Sequence, residues 1–261
     1  MIPTLTPQPT AGTTTRQHAD DRGRPRLGAA RLLATAIALG CAGGLALLID
    51  LDVARWCKAG HTPKTLMRFL NFSEVCGHGI GVATLLLTAA VLDRSLGGRD
   101  AVPRTGGLPL SRDFFRMVAT TFAGGIMANV VKELLFDRVR PRAADLVSAA
   151  SAFATFGDSA ADSILSHADA NSFPSGHAAT AAGFAAALSW KYPRGRWLFA
   201  MLAIAAAAQR VASSAHYPSD VFFGAALGLV GAAGIVGRSR PHDEYVSGTT
   251  ADGRVEKTST G

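Results

Sequence analysis

The sequence predicts an all-α integral membrane bundle of six transmembrane helices, and three observations point there. Apolar residues gather in six long blocks. Basic residues fall mainly in the links on one side of those blocks. The other polar groups collect at block ends on the opposite side. The chain of 261 residues is 48% hydrophobic and 17% charged, against roughly 25% charged in an ordinary soluble domain. Its mean hydropathy is positive. The net charge of +7 would suit a nucleic-acid partner, but the Arg and Lys residues sit in short segments between apolar blocks. Membrane topology places them there, so no nucleic-acid partner is expected.

Residues 1–27 are rich in Thr, Pro, Arg and Asp and nearly lack apolar side chains. They read as a disordered basic cytoplasmic tail, too polar and too long for the lead of a secretory signal. The six blocks run over about 28–50, 69–92, 113–136, 174–190, 197–215 and 219–237. A helix needs ~20 apolar residues to cross the hydrocarbon core, within a range of about 17–25. The first three blocks meet that comfortably, and the last three are shorter and rich in Ala and Gly. Residues 28–237 therefore form the membrane domain, and 238–261 a second disordered cytoplasmic tail.

The links set the orientation. Arg22, Arg24, Arg26 and Arg31 precede block one; Arg94, Arg99, Arg104 and Arg112 lie between blocks two and three. Lys191, Arg194 and Arg196 lie between blocks four and five, and Arg238 and Arg240 follow block six. If the blocks alternate in direction, all four segments share one face, and the positive-inside rule makes it cytoplasmic. Both termini are then on the cytoplasmic side of the cytoplasmic (inner) membrane. The outer face also carries Arg55, Lys58 and Lys64, which topology alone does not explain. In block six, Gly224 and Gly228 stand four apart, which reads equally as a close helix contact or a generic small-residue helix. Cys41, Cys57 and Cys76 have no metal-ligand spacing, and a Cys57–Cys76 disulfide stays open.

Three polar clusters fall on the extracytoplasmic side: Lys132–Arg142, Pro174–His177 and Gln209–Asp220. Together they hold the cations Lys132, Arg138, Arg140, Arg142 and Arg210, the imidazoles His177 and His216, and the carboxylate Asp220. Pro174 suits a first helical turn that Ser172 would cap, and Pro218 starts block six in the same way. Backbone amides around Ser175 and Gly176 then point from a positive helix end toward an anion. Guanidinium forks match phosphate oxygens in pairs. The rival is a divalent metal held by His177, His216 and Asp220, which the surrounding cations oppose. For phosphoryl chemistry, Asp220 would hold one nitrogen of His216 as N–H and leave the other to attack phosphorus. His177 would protonate the departing oxygen and then activate water. His61 and His78 read as interfacial or packing residues, and Glu74 as an interfacial cap. Asp145, Asp158, Asp162 and Asp169 read as solvated, in a segment 143–171 that would fold over the site.

These residues resemble the type 2 phosphatidic acid phosphatase superfamily, which includes membrane lipid phosphatases and soluble vanadium haloperoxidases. Its pattern is Lys, six residues, Arg-Pro; then Pro-Ser-Gly-His; then Ser-Arg, five residues, His, three residues, Asp. The second part is complete at Pro174–His177, and the third matches at Arg210, His216 and Asp220, with Gln209 in place of Ser. In the first part seven residues, not six, separate Lys132 from Arg140-Pro141. Either a bulge returns Lys132 to the site, or Arg138 or Arg142 supplies that charge. The resemblance implies that Lys132, Arg140, Ser175, Gly176 and Arg210 bind phosphate. It also implies that His177 is the acid/base and that His216 is the nucleophile oriented by Asp220. No metal or other cofactor is implied.

The expected activity is hydrolysis of a lipid phosphate or diphosphate in the bilayer, at the outer face of the membrane, through a phosphohistidine. Candidate substrates are phosphatidate, phosphatidylglycerol phosphate, undecaprenyl diphosphate and lipid A. Alternative readings are a vanadium-dependent haloperoxidase-like enzyme, a lipid-phosphate phosphotransferase, and a non-catalytic lipid-phosphate binding or transport protein. A carrier would place its charges along a mid-membrane path rather than at one end.

Overall fold

The computed structural model describes residues 28–93, 96, 110–134, 137–157, 169 and 171–237. The two tails, 1–27 and 238–261, and residues Arg94, Arg99, Arg104, Asp158 and Asp162 lie outside the described residues. Among those described, regular structure is helical. The α-helices are α1 (Ala29–Ala46), α2 (Asp50–Lys58), α3 (Lys64–Ser73), α4 (Gly79–Leu92), α5 (Arg112–Leu134), α6 (Gly176–Lys191), α7 (Arg196–Ala212) and α8 (Pro218–Ile235). Extended pairing is limited to isolated bridges of Arg138 with Phe156 and with Asn171.

Large apolar side chains face outward along these helices. Ile37, Leu45, Leu48, Phe72, Ile80, Val91, Leu92 and Ile126 are all exposed. Water would not support so much exposed apolar area, whereas lipid does. The interior combines bulky side chains such as Leu86, Phe114, Met117, Phe184 and Trp190 with many small residues. Helix α6 buries Ala178, Ala179, Ala181, Ala182, Gly183 and Ala187, and packs against α5, α7 and α8. This is a membrane protein in which the small residues of α6 permit close backbone approach to its neighbours.

Helices α1, α5 and α8 are each long and apolar enough to cross a bilayer. The α3 segment through Cys76 and α4 would make a fourth span if counted as one, bent by 66° at its break. With 16 and 17 residues, α6 and α7 are shorter. At 1.5 Å per residue they reach roughly 24–26 Å, a little under the ~30 Å hydrocarbon thickness.

Two expected blocks are interrupted. Block one ends as a helix at Ala46, and Asp50–Lys58 forms the separate α2. The cause is composition: Asp50, Asp52, Arg55 and Lys58 give this segment a polar face that a continuous span would leave in lipid. Block two breaks through a 3₁₀ turn at Glu74–Cys76 before α4 begins at Gly79. A Cβ on Gly77 would stand 3.0 Å from the carbonyl oxygen of His177, so this break lies directly against the start of α6.

Block six has a specific contact face. A Cβ on Gly224 would lie 2.3 Å from the Ser175 oxygen, and one on Gly228 2.3 Å from the Ala179 oxygen. The main chain of α8 therefore rests on that of α6, which brings Pro174–His177 to the start of α8.

Arg55 and Lys58 have a structural task. Arg55 donates to the carbonyls of Leu146 and Ala149 at 2.9 and 3.0 Å, and Lys58 to that of Ala144 at 2.8 Å. They pin the described part of segment 143–157 to α2. At the opposite end, Lys191 pairs with buried Asp113 at 2.9 Å, and Tyr192 donates to Asp93 at 2.7 Å. Cys57 and Cys76 are free buried thiols, so the disulfide left open by the sequence is not formed.

Candidate active site

Four chain segments converge at one end of the bundle: the chain after α5, the N-terminus of α6, the α7–α8 junction, and the break before α4. The α7–α8 junction is tight. The amides of Ala215 and His216 both donate to the Arg210 carbonyl at 3.1 Å, and Ser214 adopts a left-handed φ of 54°. That turn holds the His216 main chain against the Arg210 carbonyl and leaves His216 only 2% exposed.

The nearest acceptor of His216 Nδ1 is the Ser172 carbonyl, at 2.8 Å; Asp220 Oδ2 stands farther off at 3.7 Å. Nδ1–H donation to a carbonyl leaves Nε2 as the ring's lone-pair nitrogen. Burial pulls the imidazole down to about 4. Asp220 opposes that shift, while the charges of Arg140 and Lys132 add to it.

Asp220 is fully buried and accepts from several donors. It takes Ser172 Oγ at 2.5 Å, the Tyr217 amide at 2.9 Å and Arg138 Nη1 at 2.5 Å. It thus caps α8 and ties Ser172 to Arg138. Ser172 is consequently not the cap of α6. That position belongs to Ser175, whose Oγ accepts from the Ala178 amide at 3.4 Å. The Ser175 amide in turn donates to the Asp220 carbonyl at 3.0 Å, joining the two helix starts.

Arg138 is a structural hub. It is fully buried, donating to Asp50 at 2.7 Å, Ser219 Oγ at 2.8 Å and Thr155 Oγ1 at 2.9 Å as well as to Asp220. Its guanidinium lies between the rings of Phe156 and Tyr217, 4.4 and 3.9 Å from their centroids. Arg142 donates to Asp169 at 2.7–2.8 Å. Asp169 is therefore half of an ion pair rather than simply solvated. Of the three cations weighed for the first-pattern charge, Arg138 and Arg142 have carboxylate partners, and the charge of Lys132 bears on His216. Arg140 contacts the carbonyls of Ala215 and Asn171 at 3.5 and 3.4 Å. Burial, followed by the neighbouring charges of Arg142 and Arg210, lowers its pKa below the usual guanidinium value. It remains charged at any physiological pH.

His177 opens α6 and lies edge-on to His78, with ring centroids 5.8 Å apart. The charges of Arg210, His216 and Arg140 reach it. Arg210 Nη1 donates to Glu74 at 2.8 Å, and its Nε is buried with no hydrogen-bond partner among the described residues. The structure thus gathers Lys132, Arg140, His177, Arg210 and His216, with Ser175 and Gly176 at the start of α6 and Asp220 behind His216. Among the described residues no three His, Cys, Asp or Glu side chains form a metal cage.

Sequence reasoning missed Asp50, Glu74 and His78 as parts of this region. A signal existed for the two acids, since lone carboxylates inside or at the end of apolar blocks are costly and need a partner.

The region holding all three polar clusters lies within residues 113–241, which match the PAP2 superfamily. These residues belong to the PAP2 superfamily. Lipid A 1-phosphatases of Rhizobium etli and Rhizobium johnstonii are each 36% identical to it, over 112 and 109 residues. Those stretches are 43% and 42% of this chain, and 44% and 41% of the two relatives, so the similarity spans less than half of each protein. The PAP2 fold is shared with the crystal structure of a transmembrane PAP2-type phosphatidylglycerolphosphate phosphatase from Bacillus subtilis. The TM-score is 0.51 and the identity 19%, covering 78% of this chain and 91% of that one.

Proposed function

We propose that this protein is a metal-independent phosphatase that removes phosphate from a membrane lipid at the extracytoplasmic face of the cytoplasmic membrane. Residues 28–237 form a six-span domain, with α6 and α7 as the two shorter spans. Residues 1–27 and 238–261 flank it on the cytoplasmic side. The observation that carries this reading is His216: its Nδ1 is committed to the Ser172 carbonyl, which leaves Nε2 as a nucleophile within reach of the charges of Arg140 and Lys132.

In the first step the Nε2 lone pair attacks phosphorus and the P–O bond to the lipid breaks. The departing oxygen takes a proton from a protonated His177. In the second, His177 removes a proton from water, the water oxygen bonds to phosphorus, and the P–N electron pair returns to Nε2. Lys132, Arg140, Arg210 and the Gly176 amide at the start of α6 stabilise charge on the equatorial oxygens, whereas the Ser175 amide is committed to the Asp220 carbonyl. A crowd of fixed cations disfavours a divalent metal and favours an oxyanion.

The names of the two relatives make a lipid A 1-phosphate the first substrate to try. Phosphatidate, phosphatidylglycerol phosphate and undecaprenyl diphosphate complete the panel. Detergent-purified protein should release phosphate from a member of this set, with or without chelator, and His216→Ala should abolish release. Loss of activity with chelator would remove the metal-free mechanism, and full activity in His216→Ala would remove the nucleophile assignment.

A further inference from the structure

The interrupted second block carries a carboxylate to the anion site. Glu74 lies in the 3₁₀ turn between α3 and α4 and accepts from Arg210 Nη1 at 2.8 Å across 136 residues of sequence. Gln209 braces this pair. Its Nε2 lies 3.4 Å from Glu74 Oε2 and 3.3 Å from Asn71 Oδ1, and its Oε1 accepts from Arg210 Nη1 at 3.3 Å. Gln209 is also the position where the family pattern has Ser, so the brace uses a residue in which this chain departs from its family.

Asp50 and Asp220 are fully buried and share Arg138. Glu74 differs from both: its side chain is 38% exposed, while that of Arg210 is 12% exposed. It therefore stands on the open side of Arg210. Any anion entering beside Arg210 meets this fixed negative charge. The Arg210 Nε without a partner remains for one phosphate oxygen, while Nη1 is already engaged.

We propose that Glu74 is a specificity-determining residue that selects a lipid monophosphate over the corresponding lipid diphosphate. This rests on the phosphatase reading above. One phosphoryl group is satisfied by Lys132, Arg140, the α6 amides and the remaining face of Arg210. A second phosphoryl group near the Glu74 carboxylate would add at least one more negative charge there, and among the described residues Arg142, the next cation whose charge reaches Arg140 and Arg210, is already paired with Asp169. A unit charge repelled at near hydrogen-bonding range in a half-exposed setting gives a discrimination of about tenfold.

The test uses full-length protein in detergent and two substrates with identical tails, dioctanoyl phosphatidate and dioctanoylglycerol diphosphate. Wild type should show the higher kcat/KM on the monophosphate. Glu74→Gln keeps a hydrogen-bonding group beside Arg210 but removes the charge. It should raise the diphosphate-to-monophosphate ratio about tenfold, mainly through KM for the diphosphate, and Glu74→Asp should restore the wild-type ratio. A purely structural role would lower both activities together and leave the ratio unchanged, which overturns the proposal; so does a wild-type preference for the diphosphate. If Glu74→Gln loses turnover on both, calorimetric binding of inorganic phosphate and pyrophosphate reads the same ratio. Wild type that hydrolyses neither lipid, nor any lipid phosphate of the wider panel, would instead overturn the underlying phosphatase reading.

Discussion

His216 Nδ1 lies 2.8 Å from the main-chain oxygen of Ser172 and 3.7 Å from the nearer oxygen of Asp220. The ring is therefore oriented first by a backbone carbonyl, and the carboxylate acts from behind it. Asp220 supports that carbonyl indirectly, since Ser172 Oγ donates to it at 2.5 Å.

This geometry makes a prediction for Asp220→Asn. The carbonyl of Ser172 still fixes the Nδ1–H tautomer, so the loss falls below the ~10⁴-fold typical when a triad carboxylate that sets the tautomer is replaced. A fall in kcat of about 10–10²-fold is expected from phosphate-release assays. A loss as complete as that of His216→Ala would show that Asp220, not Ser172, holds the ring.

The acidity of His216 predicts a pH profile. Burial lowers its folded value to about 4, whereas the unfolded imidazole titrates near 6.5. The neutral, nucleophilic form is therefore complete above the unfolded value and is lost only as pH falls through about 4. Stability follows the same sign: between these values the unfolded chain binds the proton and the native chain does not, so stability declines as pH drops across that window. The acid limb of kcat/KM should contain a component near 4 that moves to lower pH in Asp220→Asn, which removes the carboxylate that favours the protonated ring. An acid limb confined to 6.5 would contradict this assignment.

Arg138 should matter more to folding than its distance from any ligand implies. Arg138→Ala leaves the Asp50 and Asp220 carboxylates buried without their shared cation, a change that costs about 3–5 kcal/mol. Thermal unfolding in detergent should show a large drop in Tm, and Arg138→Ala combined with Asp50→Asn should recover part of it. Equal Tm values for the single variant and wild type would contradict the hub role.

Helix contact between α6 and α8 can be tested at two glycines. Gly224→Ala places a methyl against the Ser175 oxygen, where a Cβ would come within 2.3 Å, and should destabilise by about 1–3 kcal/mol. It should also reduce activity, because the Ser175–Asp220 link depends on that approach. Gly234→Ala has nothing within 4 Å of the added carbon and should leave both unchanged.

Much of the site was readable from short-range spacing. Pro174–His177 and Arg210–Asp220 each act within one turn or one helix start, so local sequence places their side chains. The break in block two has only a weak local signal: Asn71, Ser73, Glu74, Gly77 and His78 dilute the apolar run there, but no proline marks a stop. A lone acid in an apolar block signals that Glu74 needs a partner, but which partner is hidden, because Arg210 lies 136 residues away. Ser172 was misassigned as a cap because Ser175 is equally able to cap, and only the observed chain path distinguishes them.

The sequence alone determined that the chain is helical, that it belongs in a membrane, and that cations and two imidazoles gather at block ends. Those properties follow from hydropathy and charge summed along single segments. Tertiary structure alone decided how the charges divide: Arg138 to Asp50 and Asp220, Arg142 to Asp169, Arg210 to Glu74, with His216 turned toward a main-chain oxygen. A cation's charge is written in the sequence, but the carboxylate that neutralises it depends on separations of a few ångströms, which only packing sets.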